Sequence, residues 1–389
     1  IYTVLFLRLY SKVSHQLLPL AQSSISKSKS MDGTANKNYG VALISIITVL
    51  LTGINGLITY VFLMILSRVN FGRDPAIKHG LASGISRMGG TVIVLSVMFG
   101  VLFNLYFFDT LTIENLIKEF DTIVLFSILI GLIGLLEDLS QRLSSITRLI
   151  AMFLLVSLTL IVIPELIPYN LEIFNINGFA VNRYLIFLVT LVMVCGFVNA
   201  GNMADGANGL LAGIYLSFFI ILYSLDNSIF NFSLLTTLIA FIIYNASTGR
   251  IFLGDFGSYL LSAIVAFKSL EIYTLFDVPV FLLASILVYP CFELVRSLLF
   301  RLINRTSLMS PDNYHLHNYI NDYFLSCGCG RHIANSFTGL GIALTSILPV
   351  LLYFNSDTDN WVYIFLIEIL FFSTTYLYFT KKYKDYLNH

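Results

Sequence analysis

Five short polar segments, set far apart in an otherwise apolar chain, hold the residues able to do chemistry. The first carries Lys78-His79 and Arg87-Met88-Gly89-Gly90, and the second Glu137-Asp138 followed by Arg142 and Arg148. The third runs from Asn199 through Asn202, Asp205, Gly206 and Asn208 to Gly209, and the fourth from Gly249-Arg250 to Gly254-Asp255-Phe256-Gly257-Ser258. The fifth is Pro311-Asp312-Asn313-Tyr314-His315-Leu316-His317, with Arg301 upstream. Carboxylate and amide oxygens are hard ligands that suit Mg²⁺, an ion that keeps several waters and shares its shell with phosphates. Glycine beside those acids lets backbone approach a pyrophosphate closely. Lys, Arg and His donate to phosphate oxygens. The chemistry this inventory allows is phosphate binding around a divalent cation.

Each segment alone also has a plainer reading. Glu137-Asp138 suits a solvated helix end, although carboxylates at a C-terminus oppose the macrodipole, and Asp138 with Arg142 has the i,i+4 spacing of a surface pair. The Asn, Asp and Gly of the third segment are ordinary turn residues. Asp255 could cap the following helix, and His315 and His317 could be plain loop residues. The pattern gains weight only when the segments are placed on their elements.

Those elements cross a membrane. Apolar residues make up 57% of the 389 and charged residues 11%, against roughly 45–50% and 25% in soluble domains, and mean hydropathy is +0.84. A soluble enzyme, a disordered chain and a nucleic-acid binder are excluded. Spanning a bilayer takes about 20 apolar residues of helix, because lipid satisfies no irregular backbone. About eleven such runs are present, near 41–66, 89–108, 121–137, 149–167, 184–200, 209–225, 229–247, 257–276, 278–299, 335–353 and 361–380. The expected architecture is all-α and polytopic, one transmembrane domain over 41–389. Residues 1–40, Ser/Lys-rich from Ser23 to Ser30, read either as a poorly ordered tail or as a segment ahead of a native start near Met31.

Short basic loops stay in the cytoplasm. The odd-numbered loops and the C-terminal tail hold most of the Lys and Arg found outside the spans, whereas the other face has Lys118 and Arg183 between spans. The odd loops are therefore cytoplasmic, and all five polar segments fall on that side as one composite site. Such a site suits one soluble substrate and one lipid. The basic residues of the N-terminal tail fall on the opposite face in this scheme.

Three features outside these segments read more simply. Four cysteines are too few for a disulfide scaffold, and Cys327-Gly328-Cys329 with His332 lacks zinc-finger spacing. Lys268 and Glu271 pair with each other or snorkel. Glu293 and Arg296 repeat that spacing, and a structural pair and a site role are both open.

The motif set, in order over roughly residues 41–335, resembles that of the polyprenyl-phosphate N-acetylhexosamine-1-phosphate transferases. This membrane superfamily includes the bacterial enzyme that starts O-antigen and enterobacterial common antigen lipids, and the peptidoglycan translocase. Arg87-Met-Gly89-Gly90 resembles its Arg-x-Gly-Gly, and Lys78 and His79 its upstream basic segment. Glu137-Asp138 stands where the family's commonest pair is Asp-Asp, with Arg148 ten residues on. Asn199-x-x-Asn202-x-x-Asp205-Gly-x-x-Gly209 matches the central loop, Phe252-Leu-Gly254-Asp255-x-Gly257-Ser258 the metal loop, and Pro311-Asp312-x-x-His315-Leu-His317 the His loop. The translocase's triple His is absent, which argues against a muramyl-pentapeptide donor, and eleven spans with a basic tail resemble the O-antigen branch more closely.

The resemblance implies Mg²⁺, or Mn²⁺ in its place, on Asn202 and Asp255, with Asp138, Asp205, Glu137 and His315 in catalysis. Lys78, Arg87, Asn199, Asn208, Arg250, Arg301 and His317 become substrate-binding candidates. The implied partners are a UDP-sugar, polyprenyl phosphate and the bilayer, with no nucleic acid and with a homodimer as the assembly. The place is the inner membrane, with the site facing the cytoplasm. The implied reaction is attack of a polyprenyl-phosphate oxygen on the β-phosphorus of a UDP-N-acetylhexosamine, releasing UMP. One phosphoanhydride replaces another, so catalysis is positioning and charge neutralisation. The acceptor phosphate, with a second pKa of about 6, needs no base, so Asp138 is expected to orient, and Asp205 stays open between base and orienting group. The rivals are a transporter or channel, which would place its groups near the midplane, and a catalytically silent lipid-binding scaffold.

Overall fold

The computed structural model describes residues 33–69, 85–168, 182–276, 278–307, 314–355 and 360–387. In chain order the helices are α1 (Gly33–Leu66), α2 (Gly89–Phe107), α3 (Ile113–Glu119), α4 (Thr122–Ser140), α5 (Ser145–Val162), α6 (Arg183–Ala204), α7 (Leu210–Leu225) and α8 (Ile229–Thr248). They continue as α9 (Gly254–Phe276), α10 (Val280–Ile286), α11 (Val288–Ile303), α12 (Leu316–Ser326), α13 (Arg331–Ala343), α14 (Ile347–Asn355) and α15 (Trp361–Leu387). Among the described residues there is no strand, only one isolated parallel bridge between Ser86 and Ile251.

Among the described residues, eight spans are long and apolar enough to cross a membrane, with α13 and α14 together counting as one, and the bent pair α10–α11 makes nine. Leu51–Leu66 and Leu210–Leu225 are apolar but shorter. Each of the eleven expected runs therefore holds apolar helix, while length and composition qualify eight or nine as crossings. Two departures from the expected runs have local causes. The run 278–299 is not one straight helix but bends by 75°. Pro290 sits in the first turn of α11, where its ring and missing N–H forbid the bond back to Ile286 and so end α10. Helix α1 is kinked at Gly53, where φ is 64°, a conformation glycine adopts without steric cost.

Helix α9 is the axis of the bundle. Its Leu260, Leu261, Ile264 and Val265 enter one apolar cluster with α2, α7 and α8, while Tyr259, Ala263, Ala266 and Phe267 enter a second with α4, α5 and α6. A helix apolar on all sides belongs in the interior. Because lipid tails are as apolar as leucine, burial does not drive helices together here; close packing and polar contacts do. Asn55 Nδ2 donates to Thr236 Oγ1 at 3.3 Å and Thr59 Oγ1 to Thr237 Oγ1 at 3.4 Å, joining α1 to α8.

The two ends of α9 differ. Its C-terminal part carries Lys268, whose Nζ lies 2.8 Å from both Asp121 Oδ2 and Glu271 Oε2. Asp121 in turn caps α4 by accepting from Val124 N at 2.8 Å. The N-terminal end of α9 meets the start of α2, the end of α4 and the end of α6, and this is where the polar segments gather.

Candidate functional site

Backbone bonds first bring the Arg87 segment to the start of α9. Phe252 N donates to Ser86 O at 2.7 Å, Gly89 N to Phe252 O at 2.9 Å and Gly90 N to Leu253 O at 2.8 Å. Arg87 is thereby held over the N-terminus of α9. Gly254, next in line, has φ of 77°, and a side-chain carbon there would stand 2.1 Å from Arg87 O, so both conformation and space demand glycine.

Asp138, buried at 1% exposure, crosses from the end of α4 to cap α9. Its Oδ1 accepts from Asp255 N at 3.1 Å and its Oδ2 from Phe256 N at 2.9 Å. A carboxylate at a helix N-terminus satisfies orphan N–H groups and meets the positive end of the dipole. Asp138 therefore stands at the C-terminal end of one helix and serves the N-terminus of another. Arg87 Nε pairs with Asp138 Oδ1 at 3.2 Å, and its Nη2 with Asp255 Oδ1 at 2.7 Å. Arg148, from the first turn of α5, takes Asp255 Oδ2 at 2.9 Å. The plainer readings of these acids give way here: Asp138 pairs with Arg87, not Arg142, and Asp255 faces two guanidinium groups while a distant carboxylate caps its helix.

Asn202, on the last turn of α6, joins through Ser258, whose hydroxyl bonds Asn202 Oδ1 at 2.7 Å and Asp255 O at 3.2 Å. Both expected metal residues thus touch one hydroxyl on the same end of the bundle. Asp205 follows at the C-cap of α6. Burial, and then the neighbouring Asp255 carboxylate, push its pKa up to about 7, with Arg87 pulling the other way. An amide oxygen and clustered carboxylates are hard donors whose crowding a divalent cation would relieve. The donor chemistry fits Mg²⁺. In the arrangement seen, each oxygen of Asp255 pairs with one arginine, which leaves a further lone pair on each for a cation. Among the described residues no three His, Cys, Asp or Glu side chains form a ready-made metal cluster.

The His loop docks beside Asp205. A side-chain carbon on Gly206 would lie 2.0 Å from His317 Nε2, so only glycine admits that ring. His315 and His317 stack with centroids 5.2 Å apart and planes within 5°. Glu293, from α11, lies 2.9 Å from His315 Nδ1 and 3.2 Å from Arg296 Nε.

The other expected residues are dispersed around this centre. Glu137 Oε2 turns back to accept from Leu143 N at 2.9 Å, bracing the α4–α5 connection. Asn199 Nδ2 donates to Cys195 O at 2.8 Å within its own helix. Asn208 is buried in a clasp: its N–H donates to Asn335 Oδ1 at 2.8 Å and its Nδ2 to Ser336 Oγ at 3.1 Å. Asn245 Nδ2 reaches its Oδ1 at 3.4 Å. Asn208 therefore joins the α6–α7 turn to α8 and α13. Arg250 is exposed beyond the end of α8, and Arg301 is buried in the last turn of α11. Lys78, His79 and Pro311 to Asn313 lie outside the described residues. Arg148 and Ser258, which stand in the motifs without an assigned role, and Glu293, open between a structural pair and a site role, also take part in this arrangement. The signals were present in Arg148's place in the motif, in the Ser that follows Gly257, and in an acid on an apolar helix.

Residues 121–273 match the family model described as glycosyl transferase family 4, a stretch that spans Asp138, Arg148, Asn202, Asp205 and Asp255. The chain is 27% identical over 298 residues, 73% of its length and 77% of the relative's, to a Bacillus subtilis protein named as a probable undecaprenyl-phosphate N-acetylglucosaminyl 1-phosphate transferase. It is 30% identical over 200 residues, 50% of this chain and 59% of the relative, to the undecaprenyl-phosphate alpha-N-acetylglucosaminyl 1-phosphate transferase of Thermotoga maritima. To the phospho-N-acetylmuramoyl-pentapeptide-transferase of Dictyoglomus thermophilum it is 28% identical over 268 residues, 61% of this chain and 81% of the relative. The resemblance drawn from the motifs is borne out.

Proposed function

We propose that this chain transfers N-acetylhexosamine-1-phosphate from a UDP-sugar to undecaprenyl phosphate and releases UMP, as the first membrane step in making a surface polysaccharide. Relatives named as N-acetylglucosaminyl 1-phosphate transferases, together with the absence of the translocase's triple His, favour UDP-N-acetylglucosamine as the donor. The observation that carries the reading is the convergence of Arg87, Asp138, Arg148 and Asp255 into one ion-paired cluster. Asn202 adjoins it through Ser258. A transporter would hold its polar groups near the midplane; these sit at helix ends.

In the proposed reaction an oxygen of the acceptor phosphate attacks the β-phosphorus of the donor. The new phosphoanhydride forms as the bond to UMP breaks, and UMP leaves as the anion. Arg87 and Arg148 hold carboxylates that diphosphate oxygens can replace as guanidinium partners, so the substrate enters a site already arranged for its charge. Asp138 holds the α9 terminus and Arg87 in register and takes no proton. Mg²⁺, held by Asn202 and Asp255, would neutralise and orient the diphosphate. The basic bias of the loops on the site's side supports a cytoplasmic face of the plasma membrane, the inner membrane where there are two. A homodimer belongs to the proposal as well.

The test is incorporation of radiolabelled sugar phosphate into lipid extract from a panel of UDP-N-acetylhexosamines, with and without EDTA. Label should enter lipid from UDP-N-acetylglucosamine and be lost with EDTA. Failure of every donor to label lipid would remove the reading.

A further inference from the structure

Glu293 has a side chain with 0% exposure and four partners. Its Oε1 accepts from Leu316 N at 2.7 Å and from Tyr289 Oη at 3.3 Å. Its Oε2 faces His315 Nδ1 at 2.9 Å and Arg296 Nε at 3.2 Å. Arg296 Nη2 lies 3.0 Å from the same His315 nitrogen, which bonds the carboxylate when it carries the proton, and Tyr289 Oη lies 2.9 Å from His317 Nδ1. These bonds converge on three consecutive residues, His315-Leu316-His317, at the start of α12. His315 is the N-cap of α12 and makes no side-chain cap bond; Glu293 supplies that bond from another helix.

Enclosing an ion pair costs desolvation that apolar residues of similar volume would avoid, so stability alone does not explain the cluster. Its other side is gripped by the last helix. Arg296 lies over the Tyr376 ring, 5.7 Å from its centroid. Tyr289 packs on Phe372 at 5.4 Å, Tyr319 on Tyr376 at 5.7 Å and Tyr323 on Phe379 at 5.4 Å. Residues 372, 376 and 379 recur on one face of α15, and that face meets α11 and α12.

We propose that Tyr376, Arg296 and Glu293 are positioning residues that carry the placement of α15 into the His loop. Tyr376 holds the guanidinium, Arg296 pairs with Glu293, Glu293 fixes His315 by accepting from its Nδ1–H, and the stacked pair is kept against the Asp205-Gly206 turn. None of the three touches substrate. The consequence for turnover rests on the transferase activity proposed above; the geometry of the His loop does not.

The experiment uses the full chain in detergent, as wild type, Tyr376→Leu, Tyr376→Phe and Glu293→Gln. The readouts are kcat and KM for UDP-N-acetylglucosamine, thermal unfolding, and nitrogen NMR of the labelled histidines. There are six histidines, and His315 is assigned by its loss in His315→Gln. Tyr376→Leu should lower kcat about tenfold with KM within about threefold, because it removes a cation–π contact that places a group and not one that binds donor. It should shift the His315 nitrogen resonances. Tyr376→Phe keeps the ring face and should return kcat to within about twofold of wild type. Glu293→Gln keeps an acceptor for Leu316 but loses the charge, and should move the His315 resonances further. Unmoved His315 resonances in both Tyr376→Leu and Glu293→Gln would overturn the proposal, as would Tyr376→Phe failing like Tyr376→Leu. If wild type itself releases no UMP, the transferase reading falls and the resonances alone decide this one.

Discussion

At the scale of single residues, Asp138 and Gly254 determine whether the cluster exists. Asp138→Asn replaces one acceptor oxygen with an NH₂ that faces a backbone N–H or the Arg87 guanidinium, where Asp138 accepts from all three. The variant should lose about 1–3 kcal/mol of stability, read as a lower unfolding midpoint in detergent, together with a fall in UMP release. Gly254→Ala places a side chain at φ of 77° and against Arg87 O. The backbone term alone costs about 1–2 kcal/mol, and turnover should drop because Arg87 is displaced; an active, equally stable Gly254→Ala would refute the local geometry. The types of these residues were legible in the sequence, since Asp, Asn and Gly recur at motif spacing. Their partners were not. Asp138 sits four residues from Arg142, yet it pairs with Arg87, because the end of α4 abuts the start of α9 and local spacing contains no information about that abutment. Asn208, a motif position that suggests ligand contact, is also a buried clasp between helices, and its spacing carries no sign of those partners.

At the scale of elements, apolar length located helix in every expected run, because a lipid environment allows little else. It did not reveal the 75° bend between α10 and α11, although Pro290 was the visible cause, nor the short α3 and α12 that lie between runs. Two further tests belong here. Glu368 on α15 is 6% exposed; it lies beside Ser285, with neither carboxyl oxygen in hydrogen-bond geometry. Burying a carboxyl with no more than one nearby hydroxyl to meet it is costly, so Glu368→Leu should stabilise the fold by about 1–3 kcal/mol, seen as a raised unfolding midpoint; a lowered midpoint would show that the carboxyl is satisfied. At the far end of α9, Lys268 joins Asp121 and Glu271, both partly exposed. Lys268→Met should cost about 1–3 kcal/mol, less than breaking a fully buried pair, because water reaches the acids left behind.

At the scale of the whole molecule, one end of the bundle is tied by a lysine triad and the other by an acid–arginine cluster, with α9 running between them. The order of the five polar segments and the alternation of basic loops made that polarity legible before any coordinates. The role of α15 was not, because an aromatic face on a final apolar helix looks the same whether lipid or the His loop lies against it. If the Asp255 cluster performs phosphosugar transfer, UMP release in detergent with Mg²⁺ should collapse in Asp255→Ala. Turnover should fall at least about a hundredfold, the scale of losing a preorganised charge at a reacting centre, with the folded protein retained. Wild-type turnover in Asp255→Ala would show that the transfer does not depend on this cluster.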